Sequence, residues 1–296
     1  MIKKKDLFTN GEMTRSDRCL HTPGSFARQN LLYVQEVGTL QSLQPHRCVR
    51  ENLDSFLLMT VTEGRGSLEI AGRHIEMKKG DCVWIDCMEH YEHISDADDA
   101  WSLAWVHFNG KQARSFYQLF LEYNQNNNWF SASDADGLVD IIKELRSRQT
   151  EKNLLSEIAC GELLTHLIYM VLEAVAKNGT LESESEKQTA RAIREYINEQ
   201  YVEKNINALL EDAFARSPEE LNEVFVRMYG ITLEEYIVNR RYNAAKELLR
   251  FSVKPIEAVA EEAGIEDLAA MQRLFRDNDA MSAEEYRKRW AGWIRN

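Results

Sequence analysis

The segment ITLEEYIVNRRYNAAKELL, Ile231 to Leu249, decides the fold of the C-terminal part of this chain of 296 residues. It separates two helix-turn-helix patterns, of which the first runs from Ile206 to Gly230 and the second from Ile256 to Met281. Two such units on one rigid connector are spaced to enter successive major grooves on one face of a duplex. The pattern therefore indicates double-stranded DNA as a partner.

The second helix of the first unit begins with a capping box. Ser217 is the hydroxyl N-cap, Pro218 occupies the first helical position and Glu220 the third. The face that DNA would meet carries Glu219, Asn222, Glu223, Val226 and Arg227. Asn222 and Arg227 are candidate DNA contacts, whereas carboxylates beside a phosphate backbone repel it. This acidic face argues against strong DNA contact by the first unit.

The second unit has a more favourable outer face. Asp267 is placed to cap its second helix, and Gln272, Arg273 and Arg276 lie outside the apolar stripe of that helix. Glutamine suits adenine, and arginine suits guanine or phosphate. On residue types alone, DNA contact and an ordinary solvated helix surface are equally compatible with these three residues.

The charge of the chain points away from a generic nucleic-acid binder. The formal net charge is −12, and Lys plus Arg number 20 against 28 Asp plus Glu in residues 1–188. The corresponding numbers in residues 189–296 are 16 and 20, so both parts are acidic. Phosphate neutralisation needs clustered cations. A local basic face can nevertheless coexist with an acidic body.

Cysteine usage and the N-terminal residues indicate a cytoplasmic chain. The five cysteines form no CxxC pair, which is typical of reduced thiols. No apolar run follows Lys3, Lys4 and Lys5, so no signal peptide is expected. No stretch of about 18 apolar residues is recognised, so no membrane span is expected either. We expect no cofactor.

Residues 31–108 have the pattern of short strands that are separated by turns. The pieces are LLYVQEVG, SFLLMTVTEG, GSLEIAG, HIEMKKG, CVWIDC and WSLAWVHF. Strands of this length and spacing predict a small β-sandwich or barrel. Residues 1–30 are expected to form an arm or loop.

The chain becomes helical after Gly110. One helix is predicted in residues 111–124, with Phe116, Leu119 and Phe120 on one face, and two more in residues 138–148 and 154–176. The third helix leaves an apolar surface, formed by Ile158, Leu163, Leu167, Met170 and Leu172. A homodimer would bury this surface, since two-fold dimers are common, and packing within the same chain is the alternative.

The C-terminal segment carries a specific combination of residues over positions 190–290. The marks are Glu235-Tyr236, Arg241, Ala245, Lys246-Glu247-Leu248-Leu249, Ile256, Val259-Ala260, Gly264, Phe275, Met281-Ser282 and Glu285-Tyr286-Arg287. This combination resembles the DNA-binding domain of AraC/XylS-type transcription regulators. The resemblance implies two recognition helices in adjacent major grooves. The chain departs from the family at Glu219, Glu223 and Val226, where basic or hydroxyl residues are usual, and at Ala280, where glycine is usual.

The β-rich half resembles the cupin-like sensory domain of the same family. The resemblance rests on Glu63-Gly64-Arg65-Gly66, Gly80-Asp81, His90-Tyr91 and Trp105-Val106-His107-Phe108. The HxH pair of metal-dependent cupin enzymes is missing from LDSFLLMTVTEG, so we expect no metal at His46, His90, His93 or His107. A small-molecule effector, a sugar or another small metabolite, is expected at Arg50, Asp54, His90, Tyr91, Trp105 and His107. Arg50 could pair a ligand carboxylate or phosphate.

The expected fold class is α+β multidomain. A cupin-like β-barrel or sandwich with dimerisation helices precedes an all-α domain with two helix-turn-helix units. The expected divisions are an arm and effector-binding domain in 1–110, a helical dimerisation region in 111–177, a linker in 178–188 and the DNA-binding domain in 189–296. The linker assignment rests on the polar segment NGTLESESEKQ.

The favoured function is a ligand-responsive, sequence-specific transcription regulator that is not an enzyme. Its expected partners are double-stranded DNA, a small-molecule effector, a second copy of the chain and, for an activator, RNA polymerase, with no membrane. One alternative is a protein of the same fold that has lost much of its DNA binding and acts through protein contact. A cupin enzyme is a further alternative, which the missing metal triad disfavours.

Overall fold

A computed structural model describes residues 13–150, 152–178 and 184–291 of the chain. The chain divides into two compact units, residues 1–181 and residues 182–296. Each unit has hydrophobic clusters of its own. The division confirms the multidomain α+β class that the strand and helix patterns predicted.

The described part of the N-terminal unit is rich in strands, with one short helix after the first strand and three longer helices after the ninth. The strands are β1 (Thr14–Leu20), β2 (Tyr33–Ser42), β3 (Arg47–Arg50), β4 (Phe56–Glu63), β5 (Arg65–Ile70), β6 (Arg73–Lys78), β7 (Asp81–Asp86), β8 (Tyr91–Ser95), β9 (Ser102–Asn109) and β10 (Trp129–Ser131). The helices are α1 (Ser25–Asn30), α2 (Ala113–Tyr123), α3 (Ala135–Arg148) and α4 (Leu154–Asn178).

The strands form two antiparallel sheets. The larger has the order β1-β2-β9-β4-β7-β10 and the smaller has the order β3-β8-β5-β6. Leu57 and Leu103 of the larger sheet share one apolar cluster with Leu68 and Tyr91 of the smaller sheet. The two sheets therefore pack face to face, as the strand spacing predicted.

The central strand β4 is buried on both faces from Phe56 to Val61, which explains its high apolar content. Leu57 and Met59 pack between the two sheets, whereas Phe56 and Leu58 pack against the helices on the other side. Successive side chains of a strand leave on opposite faces, so a strand that is covered on both sides has no solvent-facing positions.

Helices α2, α3 and α4 cover the outer face of the larger sheet. Phe120 of α2 is fully buried there, but Leu119, which we expected on the same face, is exposed. Tyr117 takes the inner position instead. Residues three apart lie on one side of a helix, whereas adjacent residues diverge by about 100°, so Tyr117 and Phe120 share the buried face.

The exposed apolar surface of α4 is smaller than the sequence predicted. Leu167 is fully buried, and three of the other four residues pack partly against the core, namely Leu163, Met170 and Leu172. Ile158 is exposed, together with Leu155 and Tyr169. The difference arises because α4 lies against α2, α3 and β2, which cover most of its apolar stripe.

Helix α4 is apolar over a longer stretch than we expected from the sequence. Residues Leu154–Ala176 are long and apolar enough to cross a membrane by length and composition alone, with a mean hydropathy of 1.6 over their most apolar 18 residues. Leu164, Leu167 and Val171 of this helix are fully buried in the cluster beneath the larger sheet. Packing against the sheet therefore accounts for the apolar composition.

Two edge strands were not predicted from the sequence, because most of their residues are polar. The segment TRSDRCL, which we expected in the arm or loop, forms β1 and pairs with β2 from Thr14 opposite Ser42 to Leu20 opposite Glu36. The short strand β3 pairs with β8. Both lie at sheet edges, where exposed polar and charged side chains are usual. The part of the expected arm before residue 13 lies outside the described residues.

The described part of the C-terminal unit is all-α. Its helices are α5 (Glu184–Gln200), α6 (Ile206–Phe214), α7 (Pro218–Tyr229), α8 (Leu233–Phe251), α9 (Ile256–Glu262), α10 (Leu268–Asp279) and α11 (Ala283–Trp290). The pairs α6–α7 and α9–α10 are the two helix-turn-helix units, which confirms the pattern read from the sequence. Residues 184–188, which we assigned to the linker, belong to α5.

Helix α8 connects the two helix-turn-helix units through a core at each end. Leu233 and Ile237 pack with Phe225 of the first unit. Ala245 and Leu249 pack with the second unit. A helix of 19 residues is about 28 Å long, which approaches the roughly 34 Å of one turn of B-DNA.

Candidate functional site

A cavity of about 150 Å³ lies between the two sheets of the N-terminal unit. Alternate residues of β1, β2, β4 and β9 line it from one side, and residues at and just before β3 and on β8 line it from the other. The lining residues are Thr14, Ser16, Arg18, Glu36, Leu40, His46, Cys48, Arg50, Leu57, Met59, Tyr91, His93, Leu103, Trp105 and His107. A partly open cavity with a mixed polar and apolar wall suits a small molecule.

Two arginines and one glutamate bring formal charges to the cavity wall. Arg18 Nη1 lies 3.4 Å from Glu36 Oε1. Arg50 is half-buried, and its side chain hydrogen-bonds with Cys48. Within the described residues, no carboxylate lies at ion-pair distance from Arg50. Glu36 is the only acidic side chain on the described wall, so two guanidinium groups face one carboxylate.

Three histidines, His46, His93 and His107, line the same cavity. Burial lowers the pKa of His93 to about 3, and the nearby His46 and Arg50 act in the same direction. Burial, with a smaller contribution from Arg50, lowers the pKa of His107 to about 4. The pKa of His46 is also lowered by burial. All three imidazoles are therefore neutral near pH 7 and add no positive charge to the wall.

The ring nitrogens of these histidines differ in their hydrogen bonding. His107 Nδ1 lies 3.1 Å from Ser55 Oγ, which orients the ring. The Nδ1 atoms of His46 and His93 are buried and have no hydrogen-bond partner among the described residues. A buried polar atom without a partner costs about 1–3 kcal/mol, so a hydrogen bond from a ligand group that reaches these nitrogens would be favourable.

The cavity brings together four of the six residues that the sequence assigned to an effector, namely Arg50, Tyr91, Trp105 and His107. Asp54 and His90 lie outside it. Asp54 is exposed, and its carboxylate accepts a hydrogen bond from Asn109 Nδ2 at 2.8 Å. Exposed His90 lies with its Nδ1 3.3 Å from Glu51 Oε2. Each residue precedes a strand, whereas most of the cavity wall consists of residues within strands.

Sequence reasoning missed one wall of the cavity. Thr14, Ser16 and Arg18 come from β1, which we had assigned to the arm, and Glu36 comes from the neighbouring strand β2. The sequence carried little signal for this wall, because Thr14 to Arg18 are polar at every position and not only at the alternate positions that face one side of a strand.

The histidines of the cavity do not form a recognisable metal centre. In residues 13–150, 152–178 and 184–291, no group of three His, Cys, Asp or Glu side chains is arranged to hold a metal ion. The rings of His46 and His93 meet edge to face, with centroids 6.0 Å apart.

In the C-terminal unit, α10 is the better candidate for contact with DNA. The Asp267 side chain caps the helix by accepting from Ala270 N–H at 2.7 Å. Arg273 and Arg276 are exposed and lie three residues apart on one face. Neither arginine forms an ion pair or a side-chain hydrogen bond within the described residues, so both guanidinium groups are available to phosphates or base edges.

Gln272 and Asn222 occupy equivalent positions, 50 residues apart, and have an internal role. Gln272 Oε1 accepts from Ala283 N–H at 3.1 Å, and its Nε2 donates to Glu284 at 2.8 Å. Asn222 Oδ1 accepts from Leu233 N–H at 3.0 Å. Each side chain thus fastens its helix to the start of the next one. The structure therefore shows a packing role for these two residues, and their contact with DNA stays a prediction.

The outer face of α7 has the opposite charge from that of α10. Glu219 and Glu223 are exposed. Arg227, the one cation expected to contact DNA from this helix, has its guanidinium 3.8 Å from Glu223 and 3.9 Å from Glu186. Carboxylates surround this arginine, which weakens its availability to phosphate.

Comparison with known families agrees with this architecture. Residues 33–168 match the model of the AraC-like ligand binding domain, and residues 210–289 match that of a helix-turn-helix domain. The first match contains most of the strands and helices around the cavity, and the second contains α7 to α10 with both helix-turn-helix turns.

Relatives of the chain are similar over most of their length. The arabinose operon regulatory protein of Escherichia coli is 23% identical over 79% of this chain and 81% of its own. The Msm operon regulatory protein of Streptococcus mutans is 22% identical over 79% and 84%. The uncharacterised HTH-type transcriptional regulator YisR of Bacillus subtilis is 26% identical over 90% and 88%.

A cavity-bearing β-domain followed by paired helix-turn-helix units defines a ligand-responsive, DNA-binding transcription regulator. The chain belongs to the AraC family of such regulators, as both matched domains and these operon regulators show.

Proposed function

We propose that this regulator reads double-stranded DNA mainly through α10, with Arg273 and Arg276 as the principal contacts. The observation that carries the proposal is the pair of exposed arginines, without ion-pair partners among the described residues, on a capped helix in the recognition position. Their spacing lets both guanidinium groups approach one stretch of groove. The chain thus binds DNA despite its net charge of −12 because the local field, not the total, faces the phosphates.

The experiment that tests this proposal is a salt-dependent gel shift on the intergenic DNA upstream of the gene. Arg273→Ala and Arg276→Ala are each expected to reduce affinity and to lower the salt slope by about 1. Glu223→Ala is the matched control on α7, because it removes a carboxylate from the equivalent helix position and should not weaken binding. Unchanged affinity in both arginine variants would remove α10 from this role.

A second candidate role is supported by the acidic face of α7. Glu219 and Glu223, with Arg227 engaged by carboxylates, are suited to a basic protein surface rather than to DNA. In this alternative the chain acts through protein contact, as an inhibitory partner or heterodimer. The same gel shift separates the two roles. A chain that binds no upstream fragment better than random DNA at low salt, with and without candidate effectors, supports protein contact.

The cavity of the N-terminal unit is the proposed effector site. Arg50, Tyr91, Trp105 and His107 form its wall together with residues of β1 and β2. The ligand must have different affinities for two arrangements of the protein if it is to change DNA binding. The role we propose is regulatory rather than catalytic, in the cytoplasm and without a membrane, as is normal for such regulators. RNA polymerase is a partner only if the chain activates transcription.

Self-association through α4 completes the proposal. Leu155, Ile158 and Tyr169 are exposed along this helix, and Leu154 adds to the patch at its N-terminal end. A second copy of the chain would bury this patch in a two-fold interface.

The domain divisions at 110, 177 and 188 are retained as approximate functional boundaries, except that helix α5 begins within the proposed linker.

A further inference from the structure

We propose that the effector is a small organic anion whose carboxylate is bound by Arg50. This inference rests on the proposed effector role of the cavity and adds the chemical class of the ligand. Arg50 lies on the wall, is half-buried and has no carboxylate partner among the described residues, although its guanidinium is well suited to bidentate recognition of a carboxylate.

The charge balance of the cavity wall supports an anion. Arg18 and Glu36 compensate each other at 3.4 Å. Glu36 also attracts Arg50 from a longer distance. On the described wall, two guanidinium groups and one carboxylate leave one excess positive charge, because the three histidines are neutral near pH 7. A half-buried charge without a counterion is costly, and a carboxylate on the ligand would supply that counterion. A neutral sugar would leave the charge uncompensated.

Hydrogen-bonding groups on the same wall define the rest of the ligand. The buried Nδ1 atoms of His46 and His93 have no partner among the described residues, and each can bond a hydroxyl group as donor or acceptor, according to its tautomer. Leu57, Met59 and Leu103 provide an apolar surface in the same cavity. The ligand that fits therefore carries one carboxylate, at least one hydroxyl or carbonyl group and a compact carbon skeleton.

The size of the cavity limits the ligand further. A cavity of about 150 Å³ corresponds to the space that a benzene molecule fills in a dry protein core. Long acyl chains and nucleotides exceed this volume and would extend out of the cavity through its open side. Acids that are built on a single six-membered ring, or that are smaller, are the class that remains.

The test compares acids with neutral molecules of nearly the same shape. Calorimetric titration of the full chain would use D-galacturonate against D-galactose, and 4-hydroxybenzoate against 4-hydroxybenzamide, each up to about 10 mM. At least one acid is expected to bind about tenfold or more tightly than its neutral analogue, since a charge-assisted hydrogen bond contributes about 1.5–3 kcal/mol. Equal affinities, or no binding by either acid, would overturn the proposal.

Variants of Arg50 show whether the preference for the acid arises in the cavity. Arg50→Gln should abolish the preference, and Arg50→Lys should keep part of it because the charge remains but the planar fork does not. Arg15→Gln is the control, since Arg15 is exposed on β1 and does not line the cavity. A preference that survives in Arg50→Gln contradicts the assignment. Circular dichroism of each variant checks that it is folded.

The failure of this inference can be told apart from the failure of the proposed function. A chain that binds upstream DNA but does not distinguish acids from neutral analogues is still a regulator, and only the anionic effector is excluded. A chain that binds an acid through Arg50 but binds no DNA keeps the anion site and loses the DNA-reading role.

Discussion

At the scale of single residues, the two helix-turn-helix units offer a comparison of backbone strain. Gly230 ends α7 with φ of 71°, and Ala280 ends α10 at the equivalent position with φ of 53°. A left-handed conformation costs an L-residue about 1–2 kcal/mol, whereas glycine adopts it without steric cost. The family's customary glycine is therefore replaced here by a strained alanine.

Exchanging these two residues should have opposite effects on stability. Ala280→Gly is expected to stabilise the C-terminal unit by about 0.5–1 kcal/mol, after the entropic cost of glycine is deducted. Gly230→Ala should destabilise it by about 1 kcal/mol through backbone strain, because a Cβ atom there meets nothing within 4 Å. Urea unfolding followed by circular dichroism measures both changes. A destabilised Ala280→Gly variant would contradict the strain argument.

The buried histidines predict how stability depends on pH. The pKa of His93 falls from 6.5 to about 3 in the folded chain, so the unfolded state binds the proton first as the pH falls. The contribution of neutral His93 to the free energy of unfolding is therefore fully present above about pH 6.5 and is lost as the pH falls toward 3. Between pH 7 and 5 one such histidine contributes a loss of about 1–2 kcal/mol.

His93→Asn should make the loss of stability between pH 7 and 5 smaller than in the wild type, as measured by urea unfolding with tryptophan fluorescence. His74→Asn is the control, because Glu76 raises the pKa of exposed His74 and its contribution has the opposite sign. An unchanged pH dependence in His93→Asn would show that His93 is not neutral in the folded chain.

At the scale of elements, α4 is the place where dimerisation can be tested. Leu155 is 75% exposed and Tyr169 is 56% exposed on this helix, although its opposite face lies in the core. Leu155→Glu is expected to weaken self-association at least tenfold, since it places a charge in the proposed apolar interface. Sedimentation equilibrium measures the association constant directly.

Val253→Glu is the matched control for the dimer prediction. Val253 is 77% exposed, as much as Leu155, but it belongs to the C-terminal unit. This variant should associate as the wild type does. A wild-type chain that is monomeric at about 10 μM, or a Leu155→Glu variant with unchanged association, would exclude α4 as the interface.

The elements also show what hydrophobic patterns can and cannot predict. Strands β4 and β7 and the helices α7 and α10 carry long apolar patterns or caps, and the sequence predicted all four. Strand β1 was missed because only Thr14 of its seven residues is fully buried. An edge strand is specified mainly by its backbone pairing with β2, which leaves little trace in side-chain polarity.

At the scale of the whole molecule, the function could be inferred from the sequence more readily than the site. The residues that carry the family resemblance lie in the core and at helix caps, such as Phe275 and the capping box of Ser282 and Glu285. Such residues maintain the fold. The cavity is formed by side chains from six strands that are distant in sequence. Whether a residue such as His90 or His93 faces the cavity depends on strand register, which a single sequence does not give.

A ligand-responsive regulator must also link effector binding in one unit to DNA binding in the other. Linkage requires that an effector change DNA affinity by the same factor by which DNA changes effector affinity. The factor is typically about 5–150 in allosteric proteins. The reciprocity holds whether the effector strengthens or weakens DNA binding.

This reciprocity gives a prediction for the tightest-binding acid of the titration panel. Fluorescence anisotropy with upstream DNA should show that the acid changes the DNA affinity of the protein. Calorimetry should show that bound DNA changes the affinity for the acid by the same factor. Arg50→Gln should remove the effect of the acid and leave DNA affinity without it unchanged, because Arg50 belongs to the N-terminal unit. Arg273→Ala should weaken DNA binding while the acid binds normally. If the acid still changed DNA affinity in Arg50→Gln, it would act from a site other than the cavity.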